Sequence, residues 1–474
     1  MSRTLLCCAA LATLALPCRA EQTVTSTETV IHLTVQPMTA PKPALRYLLL
    51  PELKEMNQGN PIQNYLKCYM EQQQFFFDKE TFKRREEYQS MPLKELPAKD
   101  LLDYGRSALR QADWAARLDK PDWQILPKLK TDGIGLLLPD VQQMRALAGA
   151  LKVRFRAEVA VGHFDDAVRT AKTMFALSRH MGDHPTLIGD LVGIAIAHIT
   201  IGPLEEMLEQ PGCPNLYWAL TNLPSPMISL EKGMEGERVS IRGEFSDLDD
   251  TAPMSEEQLK KLIVHIDKLR EVARVETKKP DEHDRSTRAW LNARNKDEGL
   301  VSAARRRLVE CGLPEERLAR FSADQVLILD EWREFEVRRD DAMKLVNLPT
   351  WQAQEELERL TKPSQSNGVP GPGEELFTGL VPALYKVRLA QGRIEQRIAL
   401  LRAVEALRLY AAAHDGKLPE KLSDVPVPLP PDPFTGKPFR YEFDGTTAHV
   451  RGTPPLGQEK VPAYNIHYEV VIRK

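Results

Sequence analysis

The chain has 474 residues, with 64 Lys+Arg against 67 Asp+Glu, 42% hydrophobic residues, 35 prolines and 26 glycines. That is enough chain for two or three domains with a sizeable core, and the composition excludes a disordered chain, a collagen-like fibre and a polytopic membrane protein. A net charge of −3 argues against a dedicated nucleic-acid binder, which carries a basic excess.

Residues 1–20 read as a secretory signal peptide. Arg3 supplies the positive start, the apolar run goes from Leu5 to Leu16, and Cys18 and Ala20 stand at the −3 and −1 positions of a cleavage site. The run falls short of the ~20 residues that span a bilayer. The expectation is cleavage after Ala20 and a periplasmic or extracellular protein. Cleavage removes Arg3 and Arg19, so −3 less two positive charges becomes −5. It also removes Cys7, Cys8 and Cys18, leaving Cys68, Cys213 and Cys311. An odd number leaves at least one thiol unpaired, and the spacings are too wide for a Cys-x-x-Cys zinc site. The expectation is buried free thiols.

Residues 21–60 form an extended N-terminal segment, in which Val30, His32 and Val35 fit a strand. Pro41 and Pro43 break it, and Gly59-Asn60-Pro61 opens a helix. Residues 61–226 read as a helical domain. Tyr65, Cys68 and Tyr69 share one face, with Phe75-Phe76-Phe77 closing that helix. A second helix covers 79–90, and a third follows Pro97 with the stripe Leu101, Tyr104, Ala108 and Ala112. Trp114 and Trp123 read as core.

The clearest segment is 139–182. Met144, Leu147, Leu151, Phe155 and Val159 repeat at helical spacing, Gly162 turns the chain, and Val168, Ala171, Phe175, Ser178 and Met181 form a second stripe. This is an αα-hairpin that must bury its face on neighbours. Gly162-x-Phe164-x-x-Ala167 resembles the turn of the tetratricopeptide repeat, with no second copy at a 34-residue period. Next comes a very apolar helix over 187–209, read as a buried core helix limited by Pro185 and Pro203, too short and too polar for a membrane span. A Pro-rich connection at 211–226 carries Tyr217-Trp218.

Residues 227–361 form a charged helical region. Helices are expected over 229–243, from Ser255 (stripe Leu259, Leu262, Ile266, Leu269, Val272), and over 300–310, 321–346 and 350–360. The cluster at 278–288 and Arg305-Arg306-Arg307 read as solvated. Residues 362–375 are a Pro/Gly/Ser linker.

Residues 376–474 combine a long helix over 384–413 with short strands over 439–443, 448–451 and 464–473, the first two joined by the hairpin signal Asp444-Gly445. Tyr410, Gly416 and Pro419, then Asp432, Pro433, Phe434, Gly436, Pro438, Phe439 and Tyr441, resemble the body of a type II secretion pseudopilin. That resemblance implies a helix feeding a small sheet; the prepilin N-terminus is absent, and the calcium site of that family is not carried over.

The fold class read here is mainly α: a repeat-like helical-hairpin domain, then a long helix and a small C-terminal antiparallel β module. The whole chain also resembles a family of large exported proteins from planctomycete-type bacteria. The residues that carry the likeness are Pro43-Ala44-Leu45-Arg46-Tyr47, Leu50-Pro51-Glu52-Leu53, Gly59-Asn60, Leu136-Leu137-Leu138-Pro139, Gly162 to Ala167, Asn215 to Leu220 and the turn from Asp432 to Phe439. That likeness implies export and a shared fold and carries no activity with it.

The chain has no HExxH, GxSxG, phosphate loop or dinucleotide fingerprint. His180 and His184 stand four apart where a helix is ending. His163 lies in the hairpin turn, and His414-Asp415 suits a helix C-terminus. No catalytic, cofactor-binding or metal-ligating residue is nominated. The reading is an exported non-enzymatic scaffold or protein- or peptide-binding protein of the bacterial envelope. The alternatives are an envelope hydrolase with a site assembled from distant residues and an accessory factor of a secretion-like system.

Overall fold

A computed structural model describes residues 21–249, 252–274, 286–361, 376–377 and 383–473. The expected signal peptide at 1–20, most of the charged cluster expected at 278–288 and the expected linker at 362–375 lie outside the described residues.

The elements run β1 (Glu21–Val24), β2 (Thr29–Val35), α1 (Pro61–Glu71), α2 (Gln73–Phe77), α3 (Lys79–Ser90), α4 (Arg106–Ala115), α5 (Leu126–Asp132), α6 (Pro139–Ala160), α7 (Phe164–Gly182) and α8 (Leu187–Leu208). Then come α9 (Tyr217–Thr221), α10 (Glu231–Glu244), α11 (Glu256–Arg274), α12 (Thr287–Arg294), α13 (Glu298–Glu310), α14 (Glu315–Leu318), α15 (Ala323–Leu345) and α16 (Thr350–Thr361). The chain ends with α17 (Ala383–Ala413), β3 (Arg440–Phe443), β4 (Thr447–Arg451) and β5 (Ile466–Ile472). The protein is mainly helical with a small terminal sheet, as its periodicities predict.

The chain divides into two compact units. One comprises Lys128–Leu137 and Arg238–Arg388; the other takes the described residues up to Pro127, Leu138–Glu237, and the chain from Leu389 onward.

In the first unit, α11 to α15 enclose one core in which Trp332 and Phe335 stack at 5.2 Å, and Phe245 and Phe377 pack beside them, edge-to-face with each other at 5.1 Å. Two residues of the expected solvated basic run are instead structural. Arg305 donates to the carbonyls of Leu318 and Phe321, and Arg307 grips Asp330. Only Arg306 is exposed. The carbonyls after short α14 can take further donors, and an arginine fork from α13 supplies them.

In the second unit, α6, α7 and α8 pack together. The turn between α6 and α7 needs a positive φ, and Gly162 provides it at +75°. All residues of α8 are buried except His198 and Ile199, which is why its sequence shows no polar face. Pro203 lies inside α8 rather than ending it. A proline forfeits one helix bond and can kink the helix, and burial of Leu204, Met207 and Leu208 beyond it offsets the loss. Among the described residues α8 alone is long and apolar enough to cross a membrane, and it is buried inside the protein.

Three further expectations are corrected. Gly105, at φ +72°, starts α4 afresh, so Leu101 and Tyr104 belong to a preceding short turn. Trp114 is half exposed while Trp123 is buried and donates to the His180 carbonyl. Cys68 and Cys213 are buried free thiols, but Cys311 is exposed, because it caps α13 beyond its buried stripe of Ala304 and Leu308.

The sheet is larger than its C-terminal strands. The antiparallel series β3–β4–β5 is extended by β2, parallel to β5, and then β1, giving the order β1-β2-β5-β4-β3. Ile31, Leu33, Tyr468, Val470, Ala448 and Val450 alternate onto one face and are buried there. The N-terminal segment and the C-terminal module thus share one sheet.

Candidate metal centre

The other face of that sheet gathers titratable groups from four strands. In the register, His32 of β2 and His449 of β4 both stand opposite Glu469 of β5, and Glu442 of β3 stands opposite His449. His467 lies two residues before Glu469 and so shares its face. Three of the chain's ten histidines therefore meet on one patch, though 435 positions of sequence separate the first from the last.

His449, His467 and Glu469 offer donor atoms that all lie within 4.8 Å of one another. His449 Nδ1 is 3.0 Å from His467 Nε2 and 3.6 Å from a Glu469 oxygen, which is 3.9 Å from His467 Nε2. Ligand bonds of about 2.0–2.2 Å in a tetrahedral set put donors about 3.4 Å apart. The observed spacings bracket that value. Two imidazoles and one carboxylate suit zinc and its first-row neighbours.

Two of the three donors have their own orienting groups. The other nitrogen of His449, Nε2, faces Asp444 at 3.4 Å, which leaves Nδ1 with a lone pair turned toward the cluster. The second oxygen of Glu469 is 2.7 Å from His32 Nδ1, and His32 Nε2 in turn meets the Thr23 hydroxyl at 3.2 Å. His467 Nδ1 is buried without a hydrogen bond, and its nearest acid is Glu28 at 3.9 Å. Burial, then the Arg451 charge, pushes the His467 imidazole down to about 4, so it is the neutral form that a metal needs. Asp444 is held well below the usual carboxylate range by the backbone N–H groups of Thr447 and Thr446, which cap the hairpin.

The strand that carries this face is anchored from behind. Tyr468, between His467 and Glu469, points the other way and donates to Glu205 of α8, which Arg397 of α17 also grips at 2.8 and 2.9 Å.

The histidines weighed from the sequence fall elsewhere. His180 meets the Tyr65 hydroxyl at 3.0 Å, while His184 meets the Thr186 hydroxyl at 2.8 Å and packs edge-on against Trp123. They engage different partners and are not brought together. His163 is exposed 4.0 Å from Asp166. His414 stacks on Tyr410 and bonds its carbonyl at 2.8 Å in the last turn of α17. Asp432, in the pseudopilin-like turn, is buried. It accepts from Phe434 N, Gln396 Nε2 and Thr453 N, at 3.0, 3.0 and 2.6 Å.

The sequence carried one signal for the cluster: His467-Tyr468-Glu469 in a strand puts two possible ligands on one face. Nothing in the sequence fixes the register that brings His32 and His449 beside them.

No protein-family model, curated protein or solved structure matches the chain.

Proposed function

We propose that this protein is an exported helical scaffold or protein-binding protein of the bacterial cell envelope, with one zinc-class divalent metal on the outer face of its terminal sheet. One observation carries the metal reading. His449, His467 and Glu469 converge at ligand spacing, and Asp444 and His32 hold two of those donors from behind. A chance surface cluster needs no such second layer.

The scaffold reading is supported by the stack of α6, α7 and α8 and by the buried ion pairs that lock it, such as Arg156 with Glu206 at 2.7 Å. Charges so placed fix helices rather than face a ligand. Export rests on the composition of residues 1–20. The metal would join β4 to β5, and β2 would take part only through His32, which holds Glu469 from behind.

The test is metal content. The purified full chain, stripped with chelator and reloaded, should take up one equivalent of zinc. His449→Ala and Glu469→Gln should take up none while keeping the wild-type helical circular dichroism. Absence of stoichiometric zinc, nickel or cobalt in the folded wild type would sink the metal reading.

A second reading, an envelope hydrolase, is favoured by the count of protein ligands. Three ligands leave one coordination position, the pattern of catalytic rather than structural zinc. Metal-dependent turnover of ester, phosphoester or peptide substrates, lost in His449→Ala, would select it over the scaffold.

A further inference from the structure

The metal-facing side of β4 and β5 is a block of four side chains. His449 stands opposite Glu469, and Arg451 stands opposite His467. Three corners are metal donors. The fourth is an arginine.

A closed structural site would want a fourth donor at that corner. A guanidinium has no lone pair and cannot ligate. It also sets a fixed positive charge beside a divalent cation, which is repulsive unless an anion lies between them. The next strand strengthens the pattern, because Arg440 of β3 stands opposite Arg451. Two cations on neighbouring strands thus flank the donor cluster on one side. Arg451 is held by Glu442 at 2.9 Å, but that carboxylate is largely exposed, and such a surface pair is weak and exchangeable.

We propose that the open coordination position of this centre takes an oxyanion, a phosphate or a carboxylate, with Arg451 as its second anchor. The inference rests on the metal reading above. One oxygen of the anion completes the coordination, and another accepts from the guanidinium fork, whose planar donors match both ligand classes. Cross-strand neighbours lie about 4.5–5.5 Å apart at Cβ, a gap that one small oxyanion bridges. Glu442 acts as the internal competitor that an incoming anion displaces.

The full chain loaded with cobalt(II) provides the test, since the visible absorption of the ion reports its ligands. Inorganic phosphate and acetate are titrated separately, with perchlorate as the non-coordinating control. The expected result is a saturable spectral change with phosphate or acetate and none with perchlorate; whichever anion acts identifies the source. Arg451→Gln should keep one cobalt per chain and lose at least tenfold in anion affinity. Glu442→Gln should gain affinity by freeing the arginine. Bound cobalt with a spectrum indifferent to both anions, or an Arg451→Gln variant that responds like wild type, overturns the anion proposal and leaves the metal centre standing. No cobalt bound by the folded chain overturns both.

Discussion

The Tyr468 hydroxyl donates to the Glu205 carboxylate, and Arg397 also donates to that carboxylate, through both of its oxygens, while its guanidinium lies 5.3 Å from the Tyr468 ring. All three groups are buried. The strand that displays His467 and Glu469 outward is thereby pinned inward to α8 and α17. Tyr468→Phe removes one charge-assisted bond and leaves the ion pair, at a cost of about 1–3 kcal/mol. Glu205→Ala leaves Arg397 as an uncompensated buried charge, which costs about 3–5 kcal/mol. Urea unfolding of the two variants should show that order. Equal losses would mean that the ion pair contributes little beyond the tyrosine bond.

Asp444 has two tasks, capping the β3–β4 hairpin and orienting His449. Asp444→Asn keeps a side-chain oxygen for the Thr446 and Thr447 N–H groups, and weakens the hold on the imidazole. Zinc affinity measured against a competing chelator should fall about 10–100-fold, with the unfolding midpoint little changed. Unchanged affinity would remove Asp444 from the second layer.

The helices were legible because each rests on local signals. Pro139 starts α6, Gly162 turns it, and Ser322 caps α15 by accepting from Gln325 N at 3.2 Å. The departures follow from forces that a local reading does not weigh. Pro203 is carried inside α8 by tertiary burial, and Arg305 is drawn from a solvated-looking run to two carbonyls. The candidate centre was the least legible part. His32 reaches Glu469 only through the parallel pairing of β2 with β5, a contact whose register is set by burial of Ile31 and Leu33 on the opposite face. The role of residues 21–35 in the sheet is likewise long-range.

Two glycines of the helical stack separate conformation from space. Gly193 in α8 lies against α7, and a Cβ there would stand 2.8 Å from the Ser178 carbonyl oxygen, while the Ser178 hydroxyl donates to the Gly193 carbonyl at 2.8 Å. Gly193→Ala must push the two helices apart, and overpacking of this kind costs about 1–3 kcal/mol. Gly162 has open space around it, but φ is +75°. Gly162→Ala meets only the left-handed penalty of about 1–2 kcal/mol. Gly162→Asn, which tolerates that conformation, should recover part of the loss in thermal unfolding. No residue at Gly193 should do so. Rescue of Gly193→Ala by Ser178→Ala would instead point to the hydroxyl as the obstacle.

Two buried carboxyls set the expected pH dependence. Burial pushes Glu158 up to about 7, against the opposing pull of Arg154 and of the hydrogen bond from Thr170. Asp190, on α8 with neither oxygen hydrogen-bonded, is raised well above its ordinary value by burial and then by Glu237 and Asp183. The unfolded chain releases the Glu158 proton near 4.5 and the folded chain only near 7. In that window the folded state binds more protons, so stability is full below about pH 4.5 and falls as pH rises toward 7. Asp190 acts with the same sign, starting from 3.8. Glu158→Gln should flatten the decline between pH 5 and 7, removing roughly 1–3 kcal/mol of pH-dependent change. Asp190→Asn, neutral throughout, should flatten the decline further in the same direction. Chemical unfolding at pH 5, 6, 7 and 8, in chelator so that metal binding adds no slope of its own, measures both. A double variant whose stability changes with pH as steeply as that of the wild type would show that both carboxyls ionise within the fold.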